Sequence, residues 1–469
     1  MTHTQRSMLR AAVALFVALG GFRAARDLGV WAQGSRGAET ITERSIRSHL
    51  EFLASDALNG RGSGTRDEWI AAAYIASHFQ RLGLEPFGDN GGYVQQIEMS
   101  GGVATAPPTL TAGALTLTYG KEMIIATALA GARTSGPLVK FQAGMTVPAG
   151  AAALLPEGTA PNAVPTASLL LLPETAQIRE SWSGRAAIMP VAGRRAVKLP
   201  SASGRVGVYL DKQAYAAVSA LADGTSVTLA ADMKPTDPTY TWNAVAKITG
   251  TDAAQSKEVI VLSAHLDHLG ARPNSPNPDK IYNGADDDAS GTVAVMALAE
   301  ALAAGPKPRR TIVFACFGTE ESGGFGAGFF VDLPVVPLNQ MIADLQFEML
   351  GRPDDKVPPH TLWLTGYERS NLGAELAKHG AKLVADPHPE QNFFARSDNI
   401  RFARRGVIAH TVSSYNLHKE YHTPADEVSK IDFAHMTDAI RSMLEPVRWL
   451  ASSAFKPEWV AGGCPAPCK

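Results

Sequence analysis

Three observations predict an α/β fold interrupted by a β-rich insert. From about residue 240 onward, apolar strands alternate with loops and helices, the repeat that builds an α/β sheet. Between 105 and 237 the chain turns rich in Ala, Gly and Pro and carries short strand-like runs instead of helical periodicity. Ahead of that stretch, residues 40–99 read as helical. The boundaries fall at 1–33 for a signal peptide and leader and at 40–104 for the first part of the main domain. The insert follows at 105–237, the rest of the main domain at 238–455 and a tail at 456–469. With 469 residues and about 150 per domain, two or three domains are expected, each large enough to bury a core.

Arg6 and Arg10 precede an apolar run from Ala11 to Phe22, and small residues follow at Ala24 and Ala25. A basic start, a short apolar segment and a small-residue exit form the pattern of an export signal. The run is shorter than the roughly 20 residues that span a bilayer, so no stable membrane anchor is expected and the chain reads as exported, periplasmic or extracellular. In the next segment Thr40 and Glu43 are spaced as a capping box, with Ile46, Leu50 and Leu53 on one face. A second helix is expected from Arg66 to Leu82, with Trp69, Ala73, Ala76 and Phe79 aligned and Gly83 as its stop. Inside the insert, the runs LTLTYG, SLLLLP, AAIMPV and GRVGVYL read as strands, and no cluster of His, Asp and Glu is present.

The main domain then gives strands at Glu258–Ala264, Thr311–Phe317, Met341–Met349 and Gly406–Val412. A helix follows the first strand over Ser290–Ala304, and a closing helix begins near Phe433, where Pro446 is expected to kink or divide it. Cysteine is sparse: Cys316 lies in an apolar run and reads as buried, while Cys464 and Cys468 form either a small disulfide or two free thiols. The formal charge of −2, with 45% hydrophobic and 19% charged residues, excludes a disordered chain and a strongly basic nucleic-acid binder. Nothing in the sequence speaks to oligomeric state.

Five short segments hold the chemistry-bearing residues: HLDHLG at 265–270, NGADDDASG at 283–291, GTEESGG at 318–324, FEML at 347–350 and EYHTPADE at 420–427. Most follow the carboxyl end of an expected strand, the edge of an open α/β sheet where ligands gather. Imidazole together with carboxylate suits zinc, and a carboxylate has two oxygens with which to bridge two ions. Two metals about 3.5–4 Å apart can hold one water, lower its pKa and polarise a carbonyl. A further carboxylate is then needed as general base, and the neighbours Glu320 and Glu321 can supply one base and one ligand. No HExxH, Walker loop, strand-following GxGxxG or GxSxG elbow is present.

In type, order and spacing these motifs resemble the secreted di-zinc aminopeptidase family, whose relatives include glutamate carboxypeptidase, glutaminyl cyclase and the transferrin receptor. The resemblance covers about residues 40–100 and 240–450. It implies a mixed, mostly parallel sheet flanked by helices, and two Zn2+ per chain. His265 and Glu348 would hold one zinc, Glu321 and His422 the other, and Asp287 would bridge them. Asp267 would orient the His265 imidazole, Glu320 would act as general base, and Tyr421 would donate to the oxyanion. The implied substrates are peptides with a free N-terminus, with no nucleic-acid partner. The 105–237 stretch resembles the protease-associated insert of some members.

This chain departs from the family in three places. Glu348 stands where Asp is frequent, the Ser-Asp-His run of many relatives reads Ser397, Asp398, Asn399, and Phe394 stands where some carry Tyr. The alternatives on the same scaffold are a single-zinc glutaminyl-peptide cyclotransferase, a carboxypeptidase and a non-catalytic receptor. Asp286, Asp287 and Asp288 also suit a helix-capping turn. His268, Asp344 and Asp426 read as loop residues or supports, the remaining histidines as core or surface, and Arg396, Asp398 and Asn399 as either cleft lining or a structural turn.

Overall fold

The computed structural model describes residues 37–465 apart from 128, 161–162, 187–189, 197–204 and 276. The expected signal peptide, part of the AAIMPV run and Cys468 lie outside the described residues. Two compact units emerge, one made of the described residues through Ile97 together with the chain from Tyr240 onward, the other spanning Glu98–Thr239.

The first unit opens with α1 (Glu43–Leu53), whose buried face is Ile46, Leu50 and Leu53 as the spacing predicts. Its cap is Thr42, not Thr40: the Thr42 hydroxyl accepts from Ser45 N–H at 3.1 Å, while Thr40 Oγ1 donates to the Gly37 carbonyl. The next helix, α2 (Arg66–Arg81), buries Ala71, Ala72, Ile75, Ala76 and Phe79, which leaves Trp69 46% exposed and off the core face. Ala76 and Phe79 thus lie on the core face as expected, while Trp69 and Ala73 fall off it. Gly83 (φ +69°) ends this helix as expected. Beyond it the chain is extended in β1 (Val94–Ala104), so the helical reading of residues 40–99 fails over its last third.

The remaining elements alternate: β2 (Thr239–Ile248), β3 (Val259–His265), α3 (Gly291–Ala304), β4 (Thr311–Phe317), α4 (Phe325–Asp332), β5 (Met341–Phe347), β6 (Leu362–Leu364), α5 (Leu372–Lys378), β7 (Leu383–Ala385), α6 (Asn399–Ala403), β8 (Ile408–Ser413) and α7 (Phe433–Ser452). In the sheet the order runs β2-β4-β3-β5-β8-β6-β7. Its middle, β4-β3-β5-β8, is parallel, whereas β2 joins β4 and β6 joins β8 antiparallel. Every residue of β3, β4 and β5 is buried, because helices cover both faces. Side chains alternate between two cores: Ile260, Leu262 and Ala264 pack with α1, α2, α3 and α7, and Val259 and Val261 with α4 and α6. The fold is thus a mixed, mostly parallel sheet flanked by helices.

Helix α7 runs through Pro446 undivided. One lost backbone bond there is outweighed by the burial of Met436, Ile440, Met443, Leu444, Val447 and Leu450 along one side.

The second unit contains an eight-stranded sheet, Leu115–Thr118, Thr109–Ala112, Ser226–Ala230, Arg133–Lys140, Ala152–Leu154, Leu169–Pro173, Val206–Leu210 and Met123–Ile125 in spatial order. Two helices, Ala176–Ala186 and Lys212–Ser219, accompany it. Cys316 is buried and free, and burial pushes its thiol up; Cys464 is disulfide-bonded. Among the described residues no helix is long and apolar enough to cross a membrane.

Candidate metal centre

Parallel pairing of β4, β3, β5 and β8 sends their carboxyl ends to one edge. His265 is the last residue of β3, Glu320 and Glu321 follow β4, Glu348 follows β5, and the turn 285–290 delivers Asp287 to the start of α3. His422 comes from the loop after β8, held at φ +56°.

These side chains converge. Asp287 presents Oδ1 to His265 Nε2 at 3.2 Å and Oδ2 to His422 Nε2 at 3.1 Å, so one carboxylate faces both imidazoles. Glu348 joins His265 and Asp287 with ligand atoms within 4.8 Å of one another. Glu321 Oε1 lies 3.1 Å from His422 Nε2. His268, read from sequence as a loop residue or support, is also here: it is fully buried, with Nδ1 2.8 Å from Glu321 Oε1 and 3.8 Å from Asp287 Oδ2. Glu321 Oε1, His422 Nε2 and both ring nitrogens of His268 are buried without a hydrogen-bond partner. Orphaned imidazole and carboxylate atoms at this spacing fit a pair of zinc-like cations.

The supports are backbone-directed. Asp267, expected to orient the His265 ring, meets it through its backbone: the carbonyl oxygen accepts from Nδ1 at 3.1 Å, with Oδ1 3.8 Å away. That bond places the proton on Nδ1 and leaves Nε2 free to face Asp287. The Asp267 carboxylate accepts from Glu320 N–H at 2.9 Å and from the Ser63 hydroxyl. Asp288 accepts from the N–H groups of His265, Gly291 and Met349 at 3.2, 3.0 and 3.0 Å, tying β3, α3 and the end of β5 together. Asp426 accepts from Asp286 and Asp287 N–H, and His418 Nε2 pairs with Asp286 Oδ2 at 3.0 Å. Arg61, which no sequence motif marked, is buried and donates to the carbonyls of Leu53, Leu266, Asn283 and Gly284 at 2.6–2.9 Å.

The electrostatics are those of a carboxylate cluster. Burial, with the neighbouring Asp398, Glu348 and Glu321 charges, holds Glu320 well above the usual carboxylate range despite His265. Burial likewise raises Glu348 and Asp398, each to about 7. Asp287 goes the other way: burial would raise it, but the His265 and His422 imidazoles hold it well below its ordinary value. Burial lowers His422, yet Asp287 and Glu321 outweigh it and lift it to about 9.

The cleft over these groups has an empty volume of about 490 Å³. Its apolar wall is Met349, Trp363, Phe393 and Tyr415. Tyr421 also lines it, its ring stacked on His422 at 3.8 Å between centroids, and burial raises its phenol well above the usual range. Arg396 and Ser397 line the same cleft, and Arg396 lies over the Phe393 ring at 4.9 Å.

Residues 243–447 match the family model described as Peptidase family M28. The chain is 30% identical over 175 residues to leucine aminopeptidase 2 of Arthroderma otae, a match covering 36% of this chain and 32% of that protein. A probable zinc metalloprotease of Leptosphaeria maculans is 38% identical over 87 residues, 19% of either chain. The chain therefore spans about a third or less of the length of these relatives. Among solved structures, the aminopeptidase from Aneurinibacillus sp. strain AM-1 superposes with a TM-score of 0.51 at 19% identity, covering 90% of this chain and 97% of that one. At that identity the likeness is one of fold.

Proposed function

We propose that this chain, whose residues 243–447 match the peptidase family M28 model, is a zinc-dependent aminopeptidase that removes N-terminal residues from peptides. The observation that carries the reading is the Asp287 carboxylate set between His265 and His422, one oxygen toward each. His265, Asp287 and Glu348 would hold one zinc, and Asp287, Glu321 and His422 the other. When bound, two such ions supply Lewis acidity toward the scissile carbonyl and acidify water. The relatives named as leucine aminopeptidase and zinc metalloprotease support the same assignment.

The chain's own groups then have distinct tasks. Glu320 takes a proton from the attacking water and hands it to the leaving amine. Its backbone is fixed by the Asp267 carboxylate, so Asp267 acts on the base as well as on the His265 ring. Tyr421 stays protonated across the working pH range and donates toward the oxyanion that forms in the cleft. Buried carboxylates around the cleft favour a substrate that brings a free α-ammonium. Export is part of the proposal and rests on the basic-then-apolar order of residues 6–25.

Arg396 favours a second reading. It lines the cleft with its guanidinium over the Phe393 ring, so a substrate carboxylate there would suit a carboxypeptidase. One assay separates the two, using a peptide with a free amino terminus and its acetylated twin, each with chelator and with zinc restored. The aminopeptidase cleaves the free peptide alone, in a zinc-dependent way; cleavage of both from the carboxyl end establishes the second reading. Glu320→Gln should abolish turnover while zinc content stays unchanged. Retained turnover would remove Glu320 from the mechanism.

A further inference from the structure

We propose that His268 is a fourth protein donor to the cation held by Asp287, Glu321 and His422. The inference rests on the reading of the site as a two-zinc centre.

Its first support is a contradiction in the contacts of His268. Nδ1 stands 2.8 Å from Glu321 Oε1, close enough for a hydrogen bond, yet neither ring nitrogen nor that oxygen has a hydrogen-bond partner. Two polar atoms at contact distance without bond alignment are what two ligands of one ion look like, their lone pairs directed at a common point. His422 Nε2 repeats the pattern at 3.1 Å from the same oxygen, again without a hydrogen bond.

Distances among the four donors give the second support. The separations are 2.8 and 3.8 Å from His268 to Glu321 and Asp287, and 3.1 Å from His422 to each of them. Zinc–nitrogen and zinc–oxygen bonds of about 2.0 Å in a tetrahedron put neighbouring donors about 3.3 Å apart, which these values bracket. The rings of His268 and His422 meet edge to face at 5.7 Å between centroids, so they approach this point from different sides.

Third, the seat of the ring is built. His268 N–H donates to the Arg61 carbonyl at 3.1 Å, which fixes the backbone. The ring lies against Gly284, where a Cβ would come within 2.5 Å of its Cγ and Cδ2 and within 2.1 Å of the Asp287 carbonyl oxygen. Gly284 also holds φ +58°, so its lack of a side chain serves the turn and the ring together.

The test uses the full chain loaded with zinc. X-ray absorption of the wild-type protein should count about 1.5 imidazoles per zinc, three histidines over two ions, and His268→Ala should bring the count to about 1.0. Titration with a competing chelator should show one of the two zincs released at about 100-fold lower chelator in His268→Ala, the other being unmoved. A wild-type count of about 1.0 imidazole per zinc overturns the proposal, whatever the variant does, because His268 then only faces Glu321. If the variant fails to fold, the wild-type count still decides. Wild-type protein holding fewer than two zincs would overturn the two-zinc reading itself, an outcome distinct from an imidazole count of 1.0 with both ions present.

Discussion

Asp344 sits inside β5, fully buried, with one carboxylate oxygen accepting from the Ser263 hydroxyl at 2.7 Å and the other unpartnered. Burial, helped by the Asp398 charge, raises it to about 8. Because the folded-state value exceeds the ordinary one, folding retains a proton that the unfolded chain has released above pH 4 or so. Stability is therefore lost as pH rises toward 8, at up to about 1.4 kcal/mol per pH unit, and is constant beyond. Asp344→Asn keeps the acceptor for Ser263 and removes the titration, so its melting temperature should gain on the wild type between pH 5 and 8. A difference independent of pH would mean that Asp344 is ionised in the fold. At this scale, the segments that follow the long parallel strands were legible in order, since His265 ends β3, Glu320 and Glu321 follow β4 and Glu348 follows β5, whereas Asp287 comes from a turn and His422 from a loop. The orientation of His268 was not legible, because it depends on Arg61 and Gly284, which no local pattern connects to it. The Asp267 contact was legible only as proximity: whether carbonyl or carboxylate meets the imidazole is set by Glu320 and Ser63 competing for the carboxylate.

Helix α1 shows how an element's boundary is decided by backbone conformation more than by residue type. Thr40 and Thr42 are both good caps, but only Thr42 has the extended backbone (φ −119°, ψ 152°) that aims its hydroxyl at the first turn. Thr42→Ala should cost about 1 kcal/mol and Thr40→Ala less, measured by denaturant unfolding monitored on the first unit. Equal costs would return the cap to Thr40. The buried strands were legible almost to the residue, because a run apolar on both faces has no other place to go than a covered parallel sheet. Helix α2 was legible in extent but not in rotation, since small residues on adjacent stripes leave the choice to tertiary packing against α3 and β4. The strand β1 was missed because its alternation, VQQIEMS, carries polar residues on a face that sequence alone does not locate.

On the scale of the molecule, a chain of net charge −2 concentrates Asp287, Glu320, Glu321, Glu348 and Asp398 around one cleft. Such a cluster repels itself in low dielectric, so the fold is expected to lean on cations for stability as well as for chemistry. Without metal, Glu348 and Asp398 sit near 7 and His422 near 9, all above their ordinary values. Each such group holds a proton in the folded state that the unfolded chain gives up, so the stability these three contribute without metal is lost as pH rises through 7 toward 9. Bound cations reverse this dependence for Glu348 and His422, the two of these groups proposed as ligands, because ligands must lose their protons to bind and are ionised once they have. Zinc at about 1,000 times its dissociation constant contributes about 4 kcal/mol, which for a unit of this size raises the melting temperature on the order of 10 °C. The gap between zinc-loaded and chelator-treated protein should accordingly be small near pH 5.5 and widen steadily to pH 8.5, as read by scanning calorimetry at fixed free zinc. A gap that is constant or narrows with pH would show that the carboxylates are already ionised in the metal-free fold, and that something other than bound cations relieves their repulsion.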